Sequence, residues 1–155
     1  RAPGAEEAAA LRPASAGDAP WIALTVASLA MSPFGLDPAN FLVAEDEASG
    51  ERLGFAQIRP LEASGDGAGL LASLFVVPEA RGRGVGSCLV RGLLQRRRRE
   101  PGAAVQPGPV FALTLAKRVP FFSRLGFERL APGDGRVPPA LALEASIGRI
   151  VAGAV

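Results

Sequence analysis

The sequence predicts a mixed α/β domain, and three observations carry that prediction. Apolar stretches of strand length alternate with segments of helical spacing. A nearly continuous apolar run over residues 69–77 ends at Pro78, passes through a glycine-rich turn and leads straight into a helix. Clusters of Pro, Gly, Ser and Asp separate the periodic segments. With 155 residues and 48 % hydrophobic content the chain can bury one sizeable core, so residues 1–155 are read as a single domain.

The elements follow in order. Residues 8–12 read as a first strand. Residues 13–17 form a turn, and Asp18 stands as an N-cap with Pro20 early in the helix behind it. Trp21, Leu24, Ala27, Leu29 and Met31 are expected to form the apolar face of that helix, which Ser32-Pro33 ends. Residues 34–40 are a loop. Residues 41–44 and 53–59 form an antiparallel hairpin around a turn at 48–51. After a polar turn at 62–67, the run 69–77 reads as a central strand covered on both faces. Residues 84–99 are helical, with Val85, Leu89, Val90, Leu93 and Leu94 on one side. A Pro- and Gly-rich loop at 101–109 leads to a strand at 110–115. A short helix at 117–125 ends on Gly126 as C-cap, and residues 127–130 are a strand. Leu143, Ile147, Ile150 and Val151 have helical spacing and predict a terminal helix.

Composition excludes several classes. No apolar run reaches the ~18 residues of a membrane span, so no membrane contact is expected. The one cysteine, Cys88, rules out an internal disulfide framework and suits a reducing compartment. The net charge is +2, and Lys117 is the only lysine, so the basic character is almost all arginine. Arg96–Arg99 without interleaved aromatics reads as a solvated helix end favoured by the dipole, and no nucleic-acid partner is expected. No metal site is expected either. Cys88, Trp21 and Met31 read as packing residues. The start at Arg1 is compatible with a processed precursor, although the first ten residues carry no secretory core.

The turn at residues 78–87 is the chemical feature. Backbone N–H groups of a glycine-rich turn and a helix N-terminus make an anion cradle, and glycine lets a phosphate oxygen approach the backbone. A dinucleotide fingerprint requires Gly-x-Gly-x-x-Gly, but Gly82, Gly84 and Gly86 are each two apart and Ser87 stands where the last glycine would be. Glu100 follows an arginine run rather than a strand, which also disfavours a dinucleotide. A triphosphate loop requires Gly-Lys-Ser/Thr, which is absent. A plain tight turn needs fewer glycines than stand here between Arg81 and Arg83.

Val76-Val77-Pro78-Glu79-Ala80-Arg81-Gly82-Arg83-Gly84-Val85-Gly86 resembles the acetyl-CoA loop of the GNAT acetyltransferase superfamily, Gln/Arg-x-x-Gly-x-Gly/Ala. Pro120-Phe121-Phe122-Ser123-Arg124-Leu125-Gly126-Phe127 resembles the family's helix and turn ending in Leu-Gly-Phe. Leu11-Arg12-Pro13-Ala14 with Asp18-Ala19-Pro20 resembles its first strand and helix. The resemblance implies a GNAT fold, a mixed central sheet whose parallel strands splay apart, flanked by helices. It implies an acetyl-CoA-dependent N-acetyltransferase acting by direct transfer to a primary amine, on a protein or a small molecule. The backbone of Leu74, Phe75 and Val76 would bond the pantetheine arm. Gly82, Gly84, Val85, Gly86 and Ser87 would hold the pyrophosphate, and Arg81 and Arg83 would add positive charge. A backbone N–H near Val76 would polarise the thioester carbonyl.

The chain departs from the family at the acid and the base. Phe122 stands where a tyrosine usually protonates the thiolate, and Leu70 where a glutamate base often sits. Ser73 and Gln57 are the candidates to hold an ordered water, with Glu45, Glu62 and Glu79 as other bases. A CoA thiolate leaves readily, so the missing phenol need not abolish turnover. A second reading stays open, an acetyl-CoA-binding sensor or interaction module that transfers weakly. Phe41-Leu42-Val43-Ala44, Gly54-Phe55-Ala56-Gln57-Ile58-Arg59-Pro60-Leu61 and Val137-Pro138-Pro139 are most similar to small stand-alone members of plants, algae and bacteria. That implies a soluble protein of the plastid stroma or the cytoplasm.

Overall fold

The computed structural model describes residues 9–29, 31, 35–61, 67–99, 108–131, 133–141 and 149–153. Its seven strands make one mixed sheet in the order β1-β2-β3-β4-β5-β7-β6. They are β1 (Ala9–Pro13), β2 (Phe41–Asp46), β3 (Arg52–Pro60), β4 (Gly69–Val76), β5 (Val110–Thr114), β6 (Phe127–Leu130) and β7 (Arg149–Gly153). The helices are α1 (Ala19–Ser28), α2 (Val85–Arg99) and α3 (Val119–Arg124). The chain divides into two compact units, residues 1–57 with 73–95 and residues 58–72 with 96–155.

In the first unit β1, β2 and the start of β3 are antiparallel neighbours. The hairpin register shifts between Ala44 and Glu45, so that Ala44 faces Gly54 and Glu45 faces Arg52. That bulge skips Leu53 and brings the Glu45 and Arg52 side chains opposite one another. Gly54 is required by close packing: a Cβ there would run into the Phe75 carbonyl oxygen. The core of this unit is Ile22, Val26, Phe41, Val43 and Phe55, with Trp21, Met31, Leu36 and Phe75 packed against it. Phe55 is fully buried, and its ring lies 5.1 Å from Trp21, 5.4 Å from Phe75 and 5.8 Å from Phe41. Phe55→Ala is expected to cost about 3–5 kcal/mol in urea unfolding, because three aromatic neighbours cannot all collapse into the void.

Helix α1 differs from its sequence expectation. It ends at Ser28, where the Thr25 Oγ1 bond to the Trp21 carbonyl and the Ser28 Oγ bond to the Thr25 carbonyl compete with the helical ladder. Its buried stripe is Ile22 and Val26, whereas Leu24 and Leu29 are exposed. Trp21 and Met31 pack against the core of this unit as expected, but Leu24, Ala27 and Leu29 face outward, because a helix that is apolar nearly all round offers little contrast to read. The 34–40 loop also contains one short 3-10 turn, Pro38–Asn40, capped by the Asp37 side chain. Helix α2 buries Val85, Leu89, Val90, Leu93 and Leu94 as predicted.

In the second unit β4 runs parallel to β5 over Gly69–Leu71, and β7 lies antiparallel between β5 and β6. The predicted terminal helix is therefore corrected at Ile150 and Val151, which belong to a strand; Leu143 and Ile147 lie outside the described residues. As a strand, the segment satisfies backbone groups on both neighbours at once, which a helix there would leave unpaired. The core here is Leu61, Ala68, Leu70, Phe111, Leu130 and Leu141. Arg97 is not solvated as expected of the arginine run. Its Nη2 donates to the carbonyls of Gly67 at 2.8 Å and Gly108 at 3.2 Å, while Arg98 and Arg99 stay exposed. Gly126 ends α3 with φ +88°, as the C-cap reading requires. Cys88 is half-buried.

Candidate functional site

Strand β4 is apolar and changes character along its length. Gly69, Leu70 and Leu71 are buried, but every residue from Ala72 to Val76 is partly exposed, contrary to a strand covered on both faces. Ser73, in mid-strand, has φ +56°, a left-handed conformation that costs a non-glycine residue free energy. The side chains of Leu74, Phe75 and Val76 are purely apolar, so any polar recognition along this stretch must use the backbone.

Past Val76 the chain turns sharply. Val77 N–H donates to the Leu53 carbonyl at 2.8 Å, Ala80 N–H to Val77 at 3.0 Å and Arg81 N–H to Pro78 at 3.3 Å. Ala80 is fully buried and anchors this turn. Gly82 and Gly84 then take φ +77° and +82°, which glycine reaches without strain. A Cβ on Gly82 would meet nothing within 4 Å, so no protein neighbour demands its absence. What the glycine adds is open backbone. The first helical bond runs from Cys88 N–H to the Gly84 carbonyl at 3.0 Å. The N–H groups of Val85, Gly86 and Ser87 precede it and have no acceptor within the helix. Open glycine backbone, first-turn donors and a helix dipole together fit a diphosphate.

The two arginines of the loop behave differently. Arg81 folds back on β4, its Nε donating to the Val76 carbonyl at 2.9 Å and its guanidinium lying 6.0 Å over the Phe75 ring. Arg83 lines an open cavity of about 700 Å³ together with Arg12, Trp21, Glu45, Arg52 and Glu79. Asp46 on the same rim is held below the usual carboxylate range, mostly by the Ser49 and Ala48 N–H groups and to a small extent by Arg83.

Behind this rim sits a buried ion network that the sequence did not reveal. Asp18 is 0 % exposed. It accepts from Arg12 at 2.7 and 2.9 Å, from Arg52 at 2.9 Å and from the Ser15 N–H at 2.8 Å. It does not cap its helix as expected, because two arginines and Ser15 occupy its oxygens. The Arg12 hydrogen bond is the largest cause that pushes its carboxyl far below the usual range. Asp18 in turn raises the Arg12 guanidinium further above its ordinary value. Ser15 three residues before Asp18 was a legible capping pattern, but only the hairpin brings Arg52 within reach. Glu45 is bound to Arg12 at 2.8 Å, which removes it from the free bases.

The remaining candidates fall as follows. Phe122 is buried, its ring 5.1 Å from Phe121 and 5.4 Å from Phe127. Leu70 is buried in the second core and Glu79 is exposed on the loop; Glu62 lies outside the described residues. Gln57 and Ser73 are brought together, Gln57 Nε2 donating to Ser73 Oγ at 3.2 Å. Among the described residues no group of three His, Cys, Asp or Glu is placed to hold a metal ion, and no helix is long and apolar enough to cross a membrane.

Residues 37–129 match the family described as Acetyltransferase (GNAT) domain. The fold is similar to that of N-acetylglutamate synthase from Neisseria gonorrhoeae, complexed with coenzyme A and L-arginine, with TM-score 0.74 and 21 % identity over 95 % of this chain. That match covers 33 % of the synthase chain, so the present chain spans about a third of its length. It is also similar to Rv2747 from Mycobacterium tuberculosis in complex with CoA and NLQ, with TM-score 0.72 and 22 % identity, covering 94 % of this chain and 99 % of that one. Arabidopsis thaliana Naa50, in complex with the bisubstrate analogue CoA-Ac-MVNAL, has TM-score 0.67 and 12 % identity, covering 96 % and 99 %. No curated protein sequence matches the chain. The matched segment and the fold thus agree on one class, the GNAT acetyltransferases. The chain belongs to the GNAT acetyltransferase family.

Proposed function

We propose that this chain transfers an acetyl group directly from acetyl-CoA to a primary amine, a protein lysine or N-terminus or a small amine. The observation that carries the reading is the turn from Val76 into α2, with Gly82 and Gly84 left-handed ahead of free first-turn donors. Bound acetyl-CoA supplies an activated carbonyl and a thiolate leaving group. The chain's own groups do the rest. The N–H groups of residues 82–87 hold the diphosphate, and the exposed Arg83 neutralises phosphate charge. The partly exposed edge of Leu74, Phe75 and Val76 offers backbone groups to the pantetheine arm as an added strand would. An N–H near Val76 stabilises the carbonyl oxygen as it gains charge. The amine must arrive deprotonated, its proton leaving through water.

The matched segment 37–129 runs through both compact units, which supports reading residues 1–155 as one catalytic domain. Similarity of residues 41–44 and 54–61 to small stand-alone members supports a plastid or cytoplasmic setting. A second reading rests on Phe122. Its buried ring has no proton to give, and the sequence holds no Tyr or His. This favours a module that binds acetyl-CoA and turns over slowly. Calorimetry with acetyl-CoA, followed by thiol release with peptides, polyamines and amino acids, separates the two. Binding with turnover supports the transferase, binding without turnover the sensor, and no binding removes both.

A further inference from the structure

Gln57 and Asp18 are the buried polar side chains among the described residues, and the mechanism above uses neither. Asp18 is fully occupied by Arg12, Arg52 and Ser15. Gln57 is not. It is 0 % exposed, its Nε2 bonds Ser73, and its Oε1 has no partner among the described residues. A leucine would fill this space without leaving a buried acceptor unpaired. Gln57 pairs directly with Phe41 across β2 and β3, so it lies on the same sheet face as Phe41 and Phe55, an otherwise apolar surface. The segment Gly35–Asn40 enters the sheet at that pair.

Its partner is equally out of place. Ser73 interrupts an apolar strand in a left-handed conformation, where glycine would be relaxed. The side chain is partly exposed, unlike Gln57 behind it. A strained serine held by a buried, half-satisfied amide is a pattern of functional sites rather than of packing.

We propose that Ser73 Oγ receives an N–H of the attacking amine and that Gln57 is the positioning residue that orients it. With Nε2 donating to Oγ, the Ser73 hydroxyl keeps its own proton to donate and one lone pair to accept. The lone pair aligns the nucleophile. Ser73 takes no proton: the N–C bond forms, the C–S bond breaks, the amine proton goes to water and the thiolate leaves. This inference rests on the acetyl-donor reading given above.

The test uses Gln57→Leu and Ser73→Gly, with acetyl-CoA affinity by calorimetry and thiol release with water, methylamine and glycinamide as acceptors. Both variants are expected to lower kcat at least about tenfold, with acetyl-CoA affinity unchanged within about twofold. Gln57→Leu should not lower the thermal midpoint, and in Ser73→Gly the relief of the backbone offsets part of the cost of leaving Gln57 Nε2 unpaired. If Gln57→Leu proves unstable, Ser73→Gly carries the test. Unchanged kcat with intact acetyl-CoA affinity overturns the role of the pair and leaves the donor reading standing. Wild-type binding without thiol release overturns the pair and favours the sensor. A wild-type chain that does not bind acetyl-CoA overturns the donor reading and this inference together.

Discussion

Gly84→Glu should weaken acetyl-CoA binding by roughly 100-fold or more, about 2.7 kcal/mol in calorimetry. Two effects add. Gly84 has φ +82°, so any L side chain strains the turn by about 1–2 kcal/mol. A carboxylate then stands where the diphosphate needs N–H donors, with like charges a few ångströms apart. Gly84→Ala separates the two, since it adds strain without charge and should lose clearly less affinity. Salt provides a further check: screening shortens the reach of the repulsion, so high ionic strength should recover part of the Glu variant's loss. Equal affinity in wild type and Gly84→Glu, with the fold intact, would remove the loop from the donor site.

Asp18→Ala should destabilise the chain by about 3 kcal/mol in urea unfolding. The Asp18 side chain is fully buried and balances Arg12 and Arg52, which are 32 % and 39 % exposed. Removing it leaves two neighbouring guanidinium groups with Glu45, bound to Arg12, as the carboxylate still beside them. Their partial exposure lets water return, so the loss falls at the lower end for a broken buried pair. The same network sets an acid dependence. The Asp18 carboxyl is depressed in the folded state relative to about 3.9 in an unfolded chain. Its contribution is therefore complete above that value and disappears as pH falls through the folded one. Stability should decline as pH falls below about 4 and keep falling in stronger acid. Asp46 and Asp134, both half-buried, act in the same direction. In Asp18→Asn the acid decline should be shallower, measured as the urea midpoint against pH. An unchanged slope would show that Asp18 titrates alike in both states.

Much of the turn into α2 was legible because its information is local. Three glycines two apart after a strand and before a helix describe a turn that few other residue types can make. The face of α2 was legible for the same reason: Val85, Leu89, Val90, Leu93 and Leu94 repeat with the helical period, and all are buried. The face of α1 was not. Its residues are apolar nearly all round, so only the position of Phe41, Val43 and Phe55 selects Ile22 and Val26 over Leu24.

Sequence alone thus determined the family, the glycine-rich turn into α2 and most strand and helix positions, since these depend on neighbours along the chain. Tertiary structure decided the rest. It made residues 149–153 a strand by presenting two unpaired strand edges, β5 and β6. It placed Arg52 beside Asp18 across a hairpin bulge. It held Ser73 in a left-handed conformation against Gln57, sixteen residues away. In each case the partners lie far apart in the chain, where local propensity carries no information.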